Sequence, residues 1–160
     1  MTTAAPAIYA PRSPRLRLGF WARVLALGVA ASAIIILLLA ARLQPDPSGV
    51  GTHTSLRLPQ CQFLRQTGLP CPSCGMTTSF AHFVRGHFLG SFYVQPMGAI
   101  LALLTCAAFW VSLYMAVSGK PAHRLMQWLP ARYYALPLAF LAVAAWGWKI
   151  FIHLKGIDGW

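Results

Sequence analysis

The chain has 160 residues, of which 58% are hydrophobic and 9% are charged. Soluble domains carry about 25% charged residues, so this sequence lacks the polar shell that a water-soluble globule needs. The charges are mostly positive, with 13 Lys and Arg against two acids, Asp46 and Asp158. This balance argues against enzymes that depend on paired carboxylates or on carboxylate-bound Mg²⁺, and it favours an integral membrane protein.

The formal net charge of +11 would indicate nucleic-acid binding in a soluble protein. Here, however, the basic residues flank apolar runs, where they anchor helix ends and meet anionic lipid. The sequence contains no basic helix, stacking platform or known motif for nucleic acid. The predicted partners are therefore the lipid bilayer and a membrane protein, with no nucleic acid.

The first predicted elements are a basic arm and a membrane helix. Residues 1–19 contain several Pro and Arg residues, and we expect them to be disordered. Residues 20–42 are predicted to form the first transmembrane helix, because about 20 apolar residues cross a bilayer. A cleaved signal peptide is the alternative, since Leu39-Ala40-Ala41 resembles a cleavage site. The apolar run is longer than the roughly 7–15 residues of a signal core, which favours a retained helix.

The rest of the chain divides into a long connection and two more membrane helices. Residues 43–92 form the connection, and the predicted transmembrane helices follow over 94–118 and 134–155. A basic loop over 119–133 separates these two helices, and residues 156–160 form a tail. The sequence therefore predicts an all-α membrane protein with three transmembrane helices. The basic residues near the helix ends favour a cytoplasmic N-terminus, with the long connection outside.

One segment of the connection is chemically distinctive, namely Cys71-Pro72-Ser73-Cys74-Gly75. After this turn, apolar residues recur at helical spacing and predict an amphipathic helix over about residues 75–90. We expect this helix to lie at the membrane surface. Its other face carries the polar side chains Thr78, His82 and Arg85, which would stack behind Cys74.

The cysteines allow three interpretations. Cys71 and Cys74 form a plain disulfide, or pack, in a structural turn. Alternatively they bind zinc, with Cys61 as the third ligand and His53 or His82 as the fourth. In the third interpretation the pair is redox-active, because the helix dipole stabilises a thiolate at Cys74. A single Cys-x-x-Cys pair and the scarcity of acids favour the structural role, and no catalytic residue is predicted.

These residues resemble the domain-of-unknown-function 2752 family of small bacterial membrane proteins. The family signature is Cys-Pro-x-Cys-Gly, an apolar residue, Thr and usually Arg, and residues 71–77 match its core. Arg85-Gly86-His87 matches a Gly-containing break, and Gln95-Pro96 matches the step before a membrane helix. Thr78 departs from the usual Arg. The resemblance covers roughly residues 45–104 and implies a bacterial inner-membrane protein with a shared cysteine site.

The resemblance supplies no activity. We therefore expect a non-enzymatic membrane or partner-binding module whose Cys-x-x-Cys turn is structural. The alternative is a membrane protein that handles thiols and disulfides, or zinc, through Cys71 and Cys74.

Overall fold

A computed structural model describes residues 17–122 and 132–158, and for residues 132–134 it describes the backbone alone. Over these residues the chain forms six α-helices and one short 3-10 helix, with no strand. The predicted all-α class is confirmed. Nearly all of the predicted arm, most of the basic loop and the last two residues of the tail lie outside the described residues.

Three helices are long and apolar enough to cross a membrane. They are α1 (Phe20–Arg42), α5 (Pro96–Ser118) and α6 (Arg132–Leu154), each with 23 residues. At 1.5 Å per residue such a helix is about 35 Å long, which exceeds the roughly 30 Å hydrocarbon core of a bilayer. The chain is therefore a multi-pass membrane protein, as predicted.

The connection between α1 and α5 consists of short helices. They are the 3-10 helix Thr52–Leu56, α2 (Gln62–Thr67), α3 (Met76–Val84) and α4 (Phe88–Val94). The segment for which the sequence predicts one helix is thus divided into α3 and α4. The division lies at Gly86, whose φ of +80° is left-handed and does not continue a helix.

The helices α1 and α5 form an antiparallel pair. The alanines Ala26, Ala30 and Ala33 of α1 are buried, and such small residues allow helix backbones to approach closely. Near the start of α1, Arg23 donates hydrogen bonds of 3.0 Å from Nε to Ala116 O and from Nη2 to the next carbonyl of α5. The start of α1 therefore lies beside the end of α5, and the connection lies at the opposite end of the pair.

α3 packs against α4 and α5 through its polar side. Ser79 and Ser91 are fully buried, and their hydroxyl oxygens lie 2.8 Å apart. A Cβ atom added at Gly98 of α5 would lie 2.8 Å from the Cβ of Ser79, so this contact needs glycine. Thr78 and His82 are also buried. The polar side of α3 thus faces the protein, and a membrane-surface position for this helix stays a prediction.

α6 packs sparsely against α5 by comparison with the close pairing of α1 and α5. Polar contacts with the connection hold it instead. Trp146 Nε1 donates to Pro70 O at 2.9 Å, and Trp148 Nε1 donates to Tyr93 O at 2.8 Å. The C-terminal part of α6 therefore lies on the same side as the cysteine segment.

Candidate metal centre

Cys71 and Cys74 are the two ends of a tight turn. The backbone N–H of Cys74 donates to Cys71 O at 3.0 Å, and the two sulfurs lie 3.0 Å apart. Gly75 follows with a φ of +85°, a conformation that residues with a side chain rarely adopt. It reverses the chain into α3, so Cys74 lies immediately before this helix.

Two of the membrane helices hold this turn in place. Gln95, the residue before α5, donates from Nε2 to Pro72 O at 2.8 Å. Trp146 of α6 donates to Pro70 O from the other side. The carbonyl groups of a loop without regular structure thus find partners on rigid helices, which fixes the cysteines relative to the membrane helices.

A third cysteine joins the pair. Cys61 is the residue before α2, and its sulfur lies with those of Cys71 and Cys74 in a cluster whose members are all within 4.8 Å of one another. Zn–S bonds of about 2.3 Å in a tetrahedral site place two sulfurs about 3.8 Å apart. Shifts of about 1 Å or less therefore convert the cluster into three zinc ligands. Thiolates favour zinc over Mg²⁺ or Ca²⁺, so the donor set suits this metal.

The two cysteines of the turn differ in their electrostatics. Burial raises the pKa of Cys71, but hydrogen bonds with Ser73, Cys74 and Cys61 outweigh it, and the pKa falls to about 7. Burial, followed by the hydrogen bonds with Cys71 and Cys61, raises the pKa of Cys74 well above its usual value. The sequence pattern pointed to Cys74 as the thiolate. In the structure, burial outweighs the helix N-terminus, and Cys71 is the sulfur that ionises first.

The predicted histidine ligands lie in different places. His53 lines the two cavities that reach Cys61 and Cys74, and its Nε2 lies 3.2 Å from Pro59 O. His82 lies instead beside His87, with 6.0 Å between the ring centroids, in a cavity that the cysteines do not line. Burial lowers the pKa of His82, and its Nδ1 has no hydrogen-bond partner. The cluster that could bind a metal among the described residues contains the three cysteines and neither histidine.

The other two residues of the predicted polar row have structural partners. Arg85 donates to Ala41 O at 3.1 Å and to Ala40 O at 3.4 Å, and so satisfies carbonyl groups at the end of α1. Thr78 Oγ1 lies 2.7 Å from Thr52 Oγ1 in a buried contact with the 3-10 helix. Both side chains fix the connection around the cysteines, and Thr78 lines the same cavity as Cys74.

Lys149 is a residue of the site that the sequence reasoning missed. Its side chain is fully buried, and its Nζ donates to Gly49 O at 3.2 Å. Nζ also lies 3.1 Å from Asp158 Oδ1, close enough for an ion pair but off the direction of a hydrogen bond. The other oxygen of Asp158 bonds to His153 Nδ1. The sequence feature that could have identified Lys149 is a charged residue inside an apolar membrane helix, because such residues usually have a functional role.

An apolar cavity of about 550 Å³ opens beside the cluster and is lined by all three cysteines. One wall is formed by Ile36, Leu39 and Ala40 of α1, and another by Met76 and Phe80 of α3. The sulfurs of Cys61 and Cys71 are therefore approachable, whereas Cys74 is buried.

Residues 61–110 match the model of the family described as protein of unknown function (DUF2752). This confirms the resemblance to the domain-of-unknown-function 2752 family. The match begins at Cys61, so the DUF2752 segment contains all three cysteines, whereas Lys149 and Asp158 lie outside it. No curated protein and no solved structure matches the chain.

Proposed function

We propose that this chain is a non-enzymatic membrane protein in which Cys61, Cys71 and Cys74 bind one zinc ion as a structural site. One observation carries the proposal, namely that three sulfurs from two separate segments lie within 4.8 Å of one another. A disulfide needs two cysteines. A third sulfur at the same point, brought there by the start of α2, is what a metal ion requires.

The zinc ion would fasten the connection between α1 and α5. The helix α2 has no buried residue, so little apolar burial holds this part of the chain. Structural zinc contributes folding free energy directly, because the site does not exist in the unfolded chain. Metal binding at Cys61 would tie α2 to the turn that Gln95 and Trp146 hold.

The fourth ligand in this proposal is His53. It lines both cavities that reach Cys61 and Cys74, and the neutral imidazole is a common zinc ligand. His82 is no longer part of the proposal, because it lies in a different cavity.

Cobalt substitution tests the site. The chain is purified in detergent under reducing conditions, freed of metal and titrated with Co²⁺, whose thiolate-to-metal absorption grows with the number of bound thiolates. We expect a tetrahedral spectrum with the intensity of three thiolates, and its loss in Cys61→Ser at the Co²⁺ concentration that saturates the wild type. His53→Ala should retain the three-thiolate band and change only the visible bands of the metal. Absence of a tetrahedral spectrum in the wild type contradicts the proposal.

Thiol–disulfide exchange is the second candidate, favoured by the 3.0 Å between the Cys71 and Cys74 sulfurs and by the lowered pKa of Cys71. The Cys71 thiolate would attack one sulfur of a partner disulfide and release the other as a thiolate. Cys74 would then lose its proton and attack Cys71, leaving a disulfide in this chain and a reduced partner. This candidate predicts a mixed disulfide trapped in Cys74→Ala, together with no bound metal.

The membrane side of the cluster is also a proposal. Arg17 and Arg23 at the start of α1 and Lys120 after α5 lie on one side, which supports a cytoplasmic N-terminus in a bacterial inner membrane. The cysteine cluster would then face outward. On that side a bound zinc ion would have to protect the three thiolates, because an oxidising exterior otherwise favours a disulfide between Cys71 and Cys74. Labelling of the cysteines in intact cells with a membrane-impermeant thiol reagent decides the side.

A further inference from the structure

Lys149 raises a question that the zinc site alone does not answer. Its ammonium group is fully buried at the C-terminal part of α6, a helix otherwise apolar enough to cross a membrane. Removing a charge from water is unfavourable unless partners compensate for it. The groups around the Lys149 ammonium therefore indicate the role of its charge.

The ammonium group lies directly behind the cysteine turn. A Cβ atom added at Gly75 would lie 3.2 Å from Lys149 Cε and 3.4 Å from its Nζ. Gly75 is the residue after Cys74, so the ammonium group lies close to the backbone next to the buried cysteine.

A site with bound zinc carries a net negative charge, which a positive side chain close to it would stabilise. Three thiolates and one Zn²⁺ leave a net charge of about −1 in a partly buried place. Arg85, at the C-terminal end of α3, donates hydrogen bonds to carbonyl groups at the end of α1. Asp158 offsets part of the Lys149 charge, but it shares its second oxygen with His153. Arg65 lines a cavity with Cys61 and Cys74, but it is exposed to solvent. Lys149 is thus the buried positive side chain beside the cysteine turn among the described residues.

We propose that Lys149 is the counter-charge of the three-cysteine site, a positioning residue that stabilises the metal-bound thiolates and fastens α6 to the DUF2752 segment. This inference rests on the proposed zinc site. It makes α6, which the family match does not reach, a functional part of the cysteine centre. The simpler alternative is that Lys149 only clips α6 to Gly49 by its hydrogen bond.

Metal affinity separates these two roles. We would measure Co²⁺ affinity by competition with a chromophoric chelator, and thermal unfolding of the metal-free protein, in four variants. Lys149→Met removes the charge at similar volume, and Lys149→Arg retains it. Trp146→Phe is the matched control, because it removes another hydrogen bond between α6 and the cysteine segment without changing charge. Asp158→Asn removes the acid that offsets Lys149.

We expect Lys149→Met to weaken Co²⁺ binding by about 10- to 100-fold, as for residues that support metal ligands in other proteins. Lys149→Arg should retain most of the affinity. Trp146→Phe should lower the unfolding temperature of the metal-free protein and weaken Co²⁺ binding by less than Lys149→Met does, because it removes a hydrogen bond and no charge. Asp158→Asn should bind Co²⁺ at least as tightly as the wild type, and this variant decides the matter if Lys149→Met does not fold.

Wild-type affinity in Lys149→Met overturns this inference and leaves the zinc site intact. A loss of affinity in Asp158→Asn or Trp146→Phe equal to that in Lys149→Met also overturns it, because a structural clip then explains the data. No Co²⁺ binding by the wild type overturns the zinc site and this inference together.

Discussion

Gly75 is the position at which a single methyl group tests the geometry of the cysteine turn. Its φ of +85° is left-handed, and an added Cβ would lie 2.8 Å from Gly49 O. The same Cβ would lie 3.2 Å from Lys149 Cε. Gly75→Ala therefore combines backbone strain with a steric conflict against a carbonyl oxygen that α6 holds in place.

The two effects have separable magnitudes. An alanine in the left-handed region costs about 1–2 kcal/mol, and overpacking a close contact costs about 1–3 kcal/mol. We expect Gly75→Ala to lower the free energy of unfolding by about 2–5 kcal/mol. Gly68→Ala isolates the first effect, because Gly68 has a φ of +70° and no atom within 4 Å of its added Cβ.

Gly147→Ala completes the series. Gly147 lies in α6 with open space around its added Cβ, so alanine should be neutral or stabilise the helix by up to about 1 kcal/mol. The assay is chemical unfolding in detergent micelles, monitored by the tryptophan fluorescence of the chain. The expected order of stability is Gly147→Ala, then Gly68→Ala, then Gly75→Ala. If Gly75→Ala is as stable as Gly68→Ala, the close approach of Gly49 to the turn is refuted.

Three further predictions concern the surroundings of the cluster. Arg85→Met removes charged hydrogen bonds to the carbonyl groups of Ala40 and Ala41 at the end of α1 and should destabilise the protein by about 1–3 kcal/mol. Arg65→Met on exposed α2 should have little effect in the same assay. Ser79→Ala breaks a buried hydroxyl contact and should cost about 1–3 kcal/mol; wild-type stability would exclude that contact. In the metal-free protein, alkylation of Cys71 should increase with pH and reach half its maximum near pH 7, where its thiol ionises. Cys74→Ala removes a hydrogen bond that lowers this pKa, so the alkylation profile should move to higher pH; an unchanged profile would contradict the assignment.

The sequence predicts the membrane helices because their signal is local. A run of apolar residues of bilayer length needs no information about neighbours, and α1, α5 and α6 are all present. The cysteine turn is also local, since Pro72 restricts its own φ and Gly75 permits the left-handed conformation that the turn needs. The sequence pattern does not give the orientation of a short helix whose polar side packs against other elements of the protein.

α3 shows this difficulty. A helix with a polar row and an apolar stripe reads as a surface helix. The structure buries Thr78 and Ser79 against hydroxyl groups from other elements, so the polar side of α3 faces the protein. Those partners come from the 3-10 helix and from α4, and no sequence period reveals such contacts. For the same reason the sequence does not show that Lys149 contacts Gly49 and Asp158.

The zinc content of the purified chain tests the central claim most directly. The chain is extracted in detergent under reducing conditions, and zinc per chain is measured by elemental analysis in the wild type and in four single Cys→Ser variants. We expect about one zinc per chain in the wild type and in Cys106→Ser, whose sulfur lies outside the cluster. Cys61→Ser, Cys71→Ser and Cys74→Ser should each lose it. A wild-type chain without zinc, or a Cys61→Ser chain that retains it, would contradict a three-cysteine metal site.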